Sequence, residues 1–245
     1  MKIGRLALLF LFVAASAWAR TELSPREILE TADRARGKLP GLVWTVAMRS
    51  VEKGEERDQT LSVTARDQDV LAVFVAPPRV KDQKVLMVGR NMWFLKPGVS
   101  KPVPISPRQK LMGQAANGDI ASTNYAGDYE GVFRDEEVLD GEPCHVLDLT
   151  ATNKSATYDR IVYWVSKERG VGLKAEFYTV SGKLFKTATF EYANTIAHGG
   201  ERIPFVSRMV IRDAVRPQEV TTLEYSGISV QAVPDSTFNL NLLMR

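Results

Sequence analysis

The sequence predicts a mainly β protein: one curved antiparallel sheet, or an incompletely closed barrel, of roughly a dozen strands in meander order. Three observations lead there. From Leu42 onward apolar residues recur with a period of two, the spacing of a half-buried strand. Turn residues separate these segments at hairpin intervals: Asp140-Gly141-Glu142, Glu168-Arg169-Gly170, Ser181-Gly182-Lys183 and His198-Gly199-Gly200. Only one convincing amphipathic helix precedes them. No shift in composition marks a second domain.

The chain begins with Lys2 and Arg5, an apolar run Leu6–Val13, and Ala17-Trp18-Ala19, an A-x-A cleavage pattern. This predicts a secretory signal peptide over 1–19 and a mature domain over 20–245. The run is well short of the ~20 residues a membrane span needs, and no later stretch is longer and apolar. The only cysteine is Cys144, so the expectation is a periplasmic chain with neither an N-terminal lipid anchor nor an internal disulfide. Formal charge is +3 and the pI about 8.9. Loss of Lys2 and Arg5 brings the mature chain close to neutrality, so nothing argues for nucleic acid.

Ser24–Arg36 reads as the helix. Ser24 and Glu27 form a capping box and Pro25 takes the favoured first position. Ile28, Leu29, Ala32 and Ala35 make the apolar stripe, and Gly37 suits a left-handed end. Among the strands that follow, Leu42, Trp44, Val46 and Met48 share one face, and Leu61 and Val63 alternate with polar neighbours. Val70–Ala76, Val85–Val88 and Met92–Leu95 are apolar on both faces. A strand of that kind must be covered twice. Further strands are expected at Val132–Leu139, Cys144–Thr150, Arg160–Ser166, Leu173–Tyr178, Leu184–Tyr192, Phe205–Asp213 and Glu219–Val230.

The pattern breaks between Lys96 and Tyr129. Pro97, Pro102, Pro104 and Pro107 exclude a central strand there, because proline donates no amide hydrogen. Leu111–Tyr129 then mixes Gly, Ala, Asn and Asp with few large apolar residues. A long irregular insert of this kind is often functional. It is expected to reach over the doubly apolar strands as a lid that opens at low cost, with Pro97, Pro107, Gly113, Asn117, Gly118, Asp119, Tyr125 and Tyr129 as its candidate residues.

Catalytic chemistry is scarce. The two histidines, His145 and His198, are far apart, and no metalloprotease, nucleophile-elbow or phosphate-loop motif occurs. Cys144 and His145 are neighbours on a strand and so point to opposite faces. Cys144 reads as a small core residue. Asp119, Asp128 and Glu130 do not match a calcium loop and read as a solvated acidic loop. No enzyme, cofactor or metal site is expected.

Met92-Trp93-Phe94-Leu95-Lys96-Pro97, Ser106-Pro107-Arg108-Gln109, Leu111-Met112-Gly113, Asn117-Gly118-Asp119, Asn124-Tyr125 and Asp128-Tyr129 resemble the outer-membrane lipoprotein-sorting family. That family lies within the LolA/LolB-like superfamily of periplasmic lipoprotein carriers. The tail Val233–Phe238 resembles its closing motif. The resemblance covers most of the mature chain and is firmest between Val85 and Tyr129. It implies a half-open β-barrel with the helix across its mouth. It also implies lipid or lipoprotein acyl chains as cargo, an inner-membrane exporter of ABC or RND type as donor, and an outer-membrane acceptor. The alternative it implies is a periplasmic lipid or envelope-stress sensor regulating a membrane partner. A structural envelope protein with a filled core is the third option. Candidate groove residues are Trp44, Val46, Met48, Leu61, Val63, Val73, Val75, Leu86, Trp93, Leu95, Phe177 and Met209. At ~0.8 kcal/mol per methylene, one fully buried 16-carbon chain gains roughly 12 kcal/mol, so releasable cargo calls for a shallow site.

Overall fold

The structure, a computed structural model, describes residues 23–120 and 123–244; the expected signal peptide lies outside them. Helix α1 (Pro25–Arg34) starts as its sequence requires. The Ser24 hydroxyl accepts from the Glu27 amide while the Glu27 carboxylate accepts from the Ser24 amide. Gly37, at φ 103°, ends the turn that follows.

The strands are β1 (Leu42–Glu52), β2 (Glu55–Arg66), β3 (Asp69–Ala76), β4 (Lys84–Val88), β5 (Asn91–Leu95) and β6 (Val103–Ile105). After the insert come β9 (Tyr129–Leu139), β10 (Glu142–Ala151), β11 (Arg160–Ser166), β12 (Gly172–Tyr178), β13 (Leu184–Glu191), β16 (Arg208–Asp213) and β17 (Val220–Val230). All 13 belong to one sheet, in the order β6-β5-β4-β3-β2-β1-β17-β16-β13-β12-β11-β10-β9. The meander is joined in the middle by the first and last strands, which pair antiparallel from Leu42↔Val230 to Val51↔Val220. The free edges are therefore β6 and β9, and the insert is the chain that links them. It contains β7 (Lys110–Met112), β8 (Ala115–Ala116), a 3-10 turn at Asn117–Asp119 and helix α2 (Tyr125–Asp128). Proline placement explains one edge: β6 carries Pro104 opposite Trp93 and pairs only with β5.

The expected strand Phe205–Asp213 is two. β14 (Asn194–His198) and β15 (Glu201–Phe205) form a separate hairpin that sends Ile196, Ile203 and Phe205 into the core. The chain re-enters the sheet after Val206, whose amide donates to the Ala35 carbonyl at 3.0 Å. A short α3 (Leu240–Leu243) ends the described chain.

One apolar cluster holds residues from β1 to β5, β10 to β13, β16 and β17, together with α1 and the insert. A single face of a 13-stranded sheet can share one core only if the sheet curls around it. Trp44, Val46, Met48, Leu61, Val63, Phe177 and Met209 belong to this concave face and are no more than 2% exposed. They pack beneath α1 and the insert as core and do not form an open lining.

Five other groove candidates face the opposite way. Leu86 and Leu95, with half-buried Val73 and Trp93, form a second cluster on the convex face, covered by Val233, Phe238, Leu240 and Leu243. Val75 also points outward and is 43% exposed. The correction has a simple cause. On a doubly apolar strand the period of two names both faces equally well, and the C-terminal tail supplies the second cover. The concave residues of these strands are Val70, Ala72, Phe74, Val85, Met87, Met92 and Phe94. Cys144 packs on the convex face with Val146, Val162 and Trp164, away from His145, whose ring lies tilted at 5.6 Å from that of Phe133.

Candidate functional site

The insert is better described as a plug than as a loose lid. Gln114, Asn117, Asp119, Thr123, Tyr125 and Tyr129 are all buried, as are Met112, Ala115, Ala116 and Ile120. The insert has few large apolar side chains, as its sequence shows, but its small residues allow close approach. A Cβ on Gly113 would lie 2.3 Å from Thr221 Oγ1 and 2.5 Å from Ser50 Cβ, and its φ is +54°. Glycine alone lets the β7–β8 turn sit on the middle of the sheet. One on Gly118 would lie 2.1 Å from Thr157 Oγ1.

Polar contacts then fasten the plug at several points. The Gln114 amide donates to Thr221 Oγ1 at 2.7 Å, and Lys186 Nζ donates to the Gln114 carbonyl at 2.6 Å. Burial holds the Lys186 ammonium below its ordinary pKa. Asp119 is buried and not solvated as expected: its oxygens accept from the Tyr158 hydroxyl at 3.0 and 2.8 Å and from the Ala116 amide at 2.8 Å. Burial pushes the Tyr158 phenol well above its usual value. Asp33 of α1 accepts from the Tyr125 and Ala126 amides, each at 3.0 Å. Helix and plug are thereby joined by one carboxylate, which burial pushes up to about 7. Pro107 is buried with the plug, whereas Pro97 stays exposed in the turn before β6. The segment from Lys96 to Ile105 extends the sheet edge and does not cover the concave face. Asp128 pairs with Arg90 at 3.3 Å, and Glu130 is exposed. Among the described residues no cluster suited to a metal ion exists.

The plug leaves part of the concave face uncovered. Between β3, β4, β5, the edge strand β6 and the start of β7 lies an open trough of about 420 Å³. Its floor is Phe74, Val85 and Phe94, its walls Val80, Ile105 and Leu111, and its rim Gln59, Gln83, Gln109, Lys110 and Asn117. That volume lies within the range of small-ligand sites, about 300–1,000 Å³. None of these apolar residues was singled out from the sequence. Phe74, Val85 and Phe94 are the immediate strand neighbours of the candidates that point outward. On the other side of the Asn117–Asp119 turn is a polar cavity of about 60 Å³, whose wall includes Arg36, Arg90, Thr123, Asn124 and Tyr158.

The curved 13-stranded antiparallel sheet with a helix and an insert over its concave face is a LolA-like fold. A LolA superfamily protein from Nitrosomonas europaea is 34% identical to this chain, with a TM-score of 0.80 over 90% of this chain and 99% of that one. The chain belongs to the LolA superfamily. A Vibrio parahaemolyticus domain provisionally named an outer membrane lipoprotein-sorting protein is 22% identical, with a TM-score of 0.77 over 90% and 98% of the two chains. A DUF1329 family protein from Desulfovibrio piger is also 22% identical, with a TM-score of 0.74 over 89% and 97%. Residues 66–245 match a family model described as "-like: Uncharacterized protein". Among curated proteins, none matches. No helix among the described residues is long and apolar enough to cross a membrane.

Proposed function

We propose that this protein is a periplasmic carrier that takes lipid acyl chains into the trough and passes them from an inner-membrane exporter to an outer-membrane acceptor. The observation that carries this reading is the open, apolar-floored trough of Phe74, Val85 and Phe94 within the fold of a lipoprotein-sorting superfamily. The signal-peptide pattern over 1–19 supports the compartment. The trough's shallowness suits a shuttle. A fully buried 16-carbon chain would gain roughly 12 kcal/mol, whereas an open trough removes only part of the chain from water. The reading needs no catalytic group, so His145, His198 and Cys144 have no task in it.

The test uses the mature chain purified from its own envelope. Native mass spectrometry should find a bound lipid, and a fluorescent fatty-acid probe should bind and be displaced by added lipid. Phe94→Glu or Ile105→Glu, at half-buried trough positions, should weaken the probe at least about ten-fold, since an unpaired carboxylate cannot be buried beside the chain. Val75→Glu, on the outward face, should leave binding unchanged. The reading fails if the wild-type protein carries no lipid and binds no probe, or if Val75→Glu and Phe94→Glu behave alike.

A further inference from the structure

The trough and the polar cavity are neighbours on one strand. Val85 faces the trough and Met87 the cavity. They share the concave face of β4, two residues and roughly 7 Å apart. The Asn117–Asp119 turn stands between them, giving Asn117 to the trough and Gly118 and Asp119 to the cavity.

Among the described residues the Arg36 side chain, which belongs to the cavity wall, has no carboxylate in hydrogen-bond or ion-pair contact. Arg36 is 6% exposed, and its guanidinium lies 4.5 Å from the Phe190 ring centre. Its only hydrogen-bond partners among the described residues are Tyr125 Oη at 3.5 Å and Met209 Sδ at 3.8 Å. Both are weak acceptors at long range, for a group with five N–H donors. The carboxylates nearby are already engaged. Asp33 serves the Tyr125 and Ala126 amides, and Asp119 serves Tyr158 and Ala116. Asp128 pairs with Arg90 at 3.3 Å and Asn153 at 3.2 Å. A buried guanidinium held by two rings, Phe190 at 4.5 Å and Tyr125 at 5.6 Å, and by two long hydrogen bonds keeps most of its N–H donors unsatisfied, which is unfavourable unless something completes it. Arginine is the residue best shaped to receive an oxyanion.

We propose that the cavity receives the anionic head of a single-chain amphiphile, a carboxylate-sized oxyanion, while its acyl chain lies in the trough. This rests on the lipid-binding reading of the trough. The volume of about 60 Å³ is several times the roughly 10–15 Å³ that one water needs, which suits a carboxylate. Arg90, half-exposed, lines the same cavity as a second cation for a larger phosphate head.

Calorimetric titration of the mature protein with laurate, dodecanol, dodecyl phosphate and acetate tests it. Laurate should bind at least ten-fold tighter than dodecanol, and acetate should not bind measurably. Dodecyl phosphate at laurate's affinity widens the head to any oxyanion; weaker binding restricts it to carboxylate. Arg36→Met should bring laurate down to the level of dodecanol without changing dodecanol, and should not lower the thermal midpoint of the ligand-free protein. If that variant does not fold, Arg36→Lys, which keeps the charge and loses the fork, should show a reduced preference for laurate. Equal binding of laurate and dodecanol by the wild type overturns the inference and leaves the trough reading intact. Binding of neither overturns the trough reading itself. Acetate binding as tightly as laurate would make this a free-anion site.

Discussion

Asp33 shows how one residue couples two elements. It sits in the last turns of α1, is 1% exposed, and gives one oxygen to each of two amides at the start of α2. Burial raises its pKa from 3.8 to about 7, against the pull of those hydrogen bonds. A carboxyl raised in this way adds stability that is fully present below its unfolded value and is lost as pH rises through about 7. Wild-type protein should therefore be more stable at pH 5 than at pH 8, by on the order of 3 kcal/mol from this group. Asp33→Asn cannot ionise. It should flatten that difference while losing about 1 kcal/mol for the amide left without its acceptor. Urea unfolding of both proteins at the two pH values is the check. An equal pH dependence in wild type and variant would show that Asp33 stays ionised throughout. Proline pattern, capping box and apolar stripe all identify α1 in the sequence. The role of Asp33 does not show there, because an aspartate on a helix ordinarily faces water and only the position of α2 buries it.

At the scale of elements, the insert is visible as an interruption of the strand pattern, but its first part, Lys96–Ile105, belongs to the sheet edge and only the part from Ser106 onward covers the concave face. Few large apolar residues suggest weak attachment, whereas Gly113 lies against Ser50 and Thr221 of the sheet, Gly118 against Thr157 of the β10–β11 loop, and Ala115 and Ala116 are buried. Gly113→Ala should accordingly destabilise by about 2–4 kcal/mol, combining a strained positive φ with overpacking. It should also speed amide hydrogen exchange across Gly113–Tyr129. Gly89→Ala serves as control: its φ is +57° but an added Cβ meets nothing within 4 Å, so only the conformational strain remains, about 1 kcal/mol. Similar losses in the two variants would mean that the plug is not seated as described. If any part of the cover moves to admit a ligand, the rim at Ile105–Leu111 is the better candidate, being half-buried or exposed at most positions. The deeper residues would have to break buried hydrogen bonds.

At the scale of the whole molecule, the outcome is decided by what covers each face. The C-terminal tail lies across the convex side of β3–β5. Phe238 packs in the cluster with Leu86 and Leu95, under Arg66 at 5.2 Å, and Arg66 is held by Asp235 at 2.6 Å. Phe238→Ala should cost about 3–5 kcal/mol and shift tryptophan emission to the red, as Trp93 loses part of its cover. Chemical denaturation and fluorescence would measure both. An unchanged spectrum would separate the tail from Trp93.

The sequence by itself determined most of the large sheet's strands and their turns, the N-terminal helix with its cap, the exclusion of a central strand by the prolines and the resemblance that led to the superfamily. Each of these is written in local spacing, where alternation, capping and proline geometry act over a few residues. Only the tertiary structure decided which face of β3, β4 and β5 is concave. Val73, Val75, Leu86, Trp93 and Leu95 are as apolar as Phe74, Val85 and Phe94, so period-two alternation cannot rank the two sets. The choice depends on where the tail Val233–Leu243 and the plug Lys110–Tyr129 come to rest. Those segments are distant in sequence from the strands whose faces they cover, and burial between distant segments is settled by packing alone.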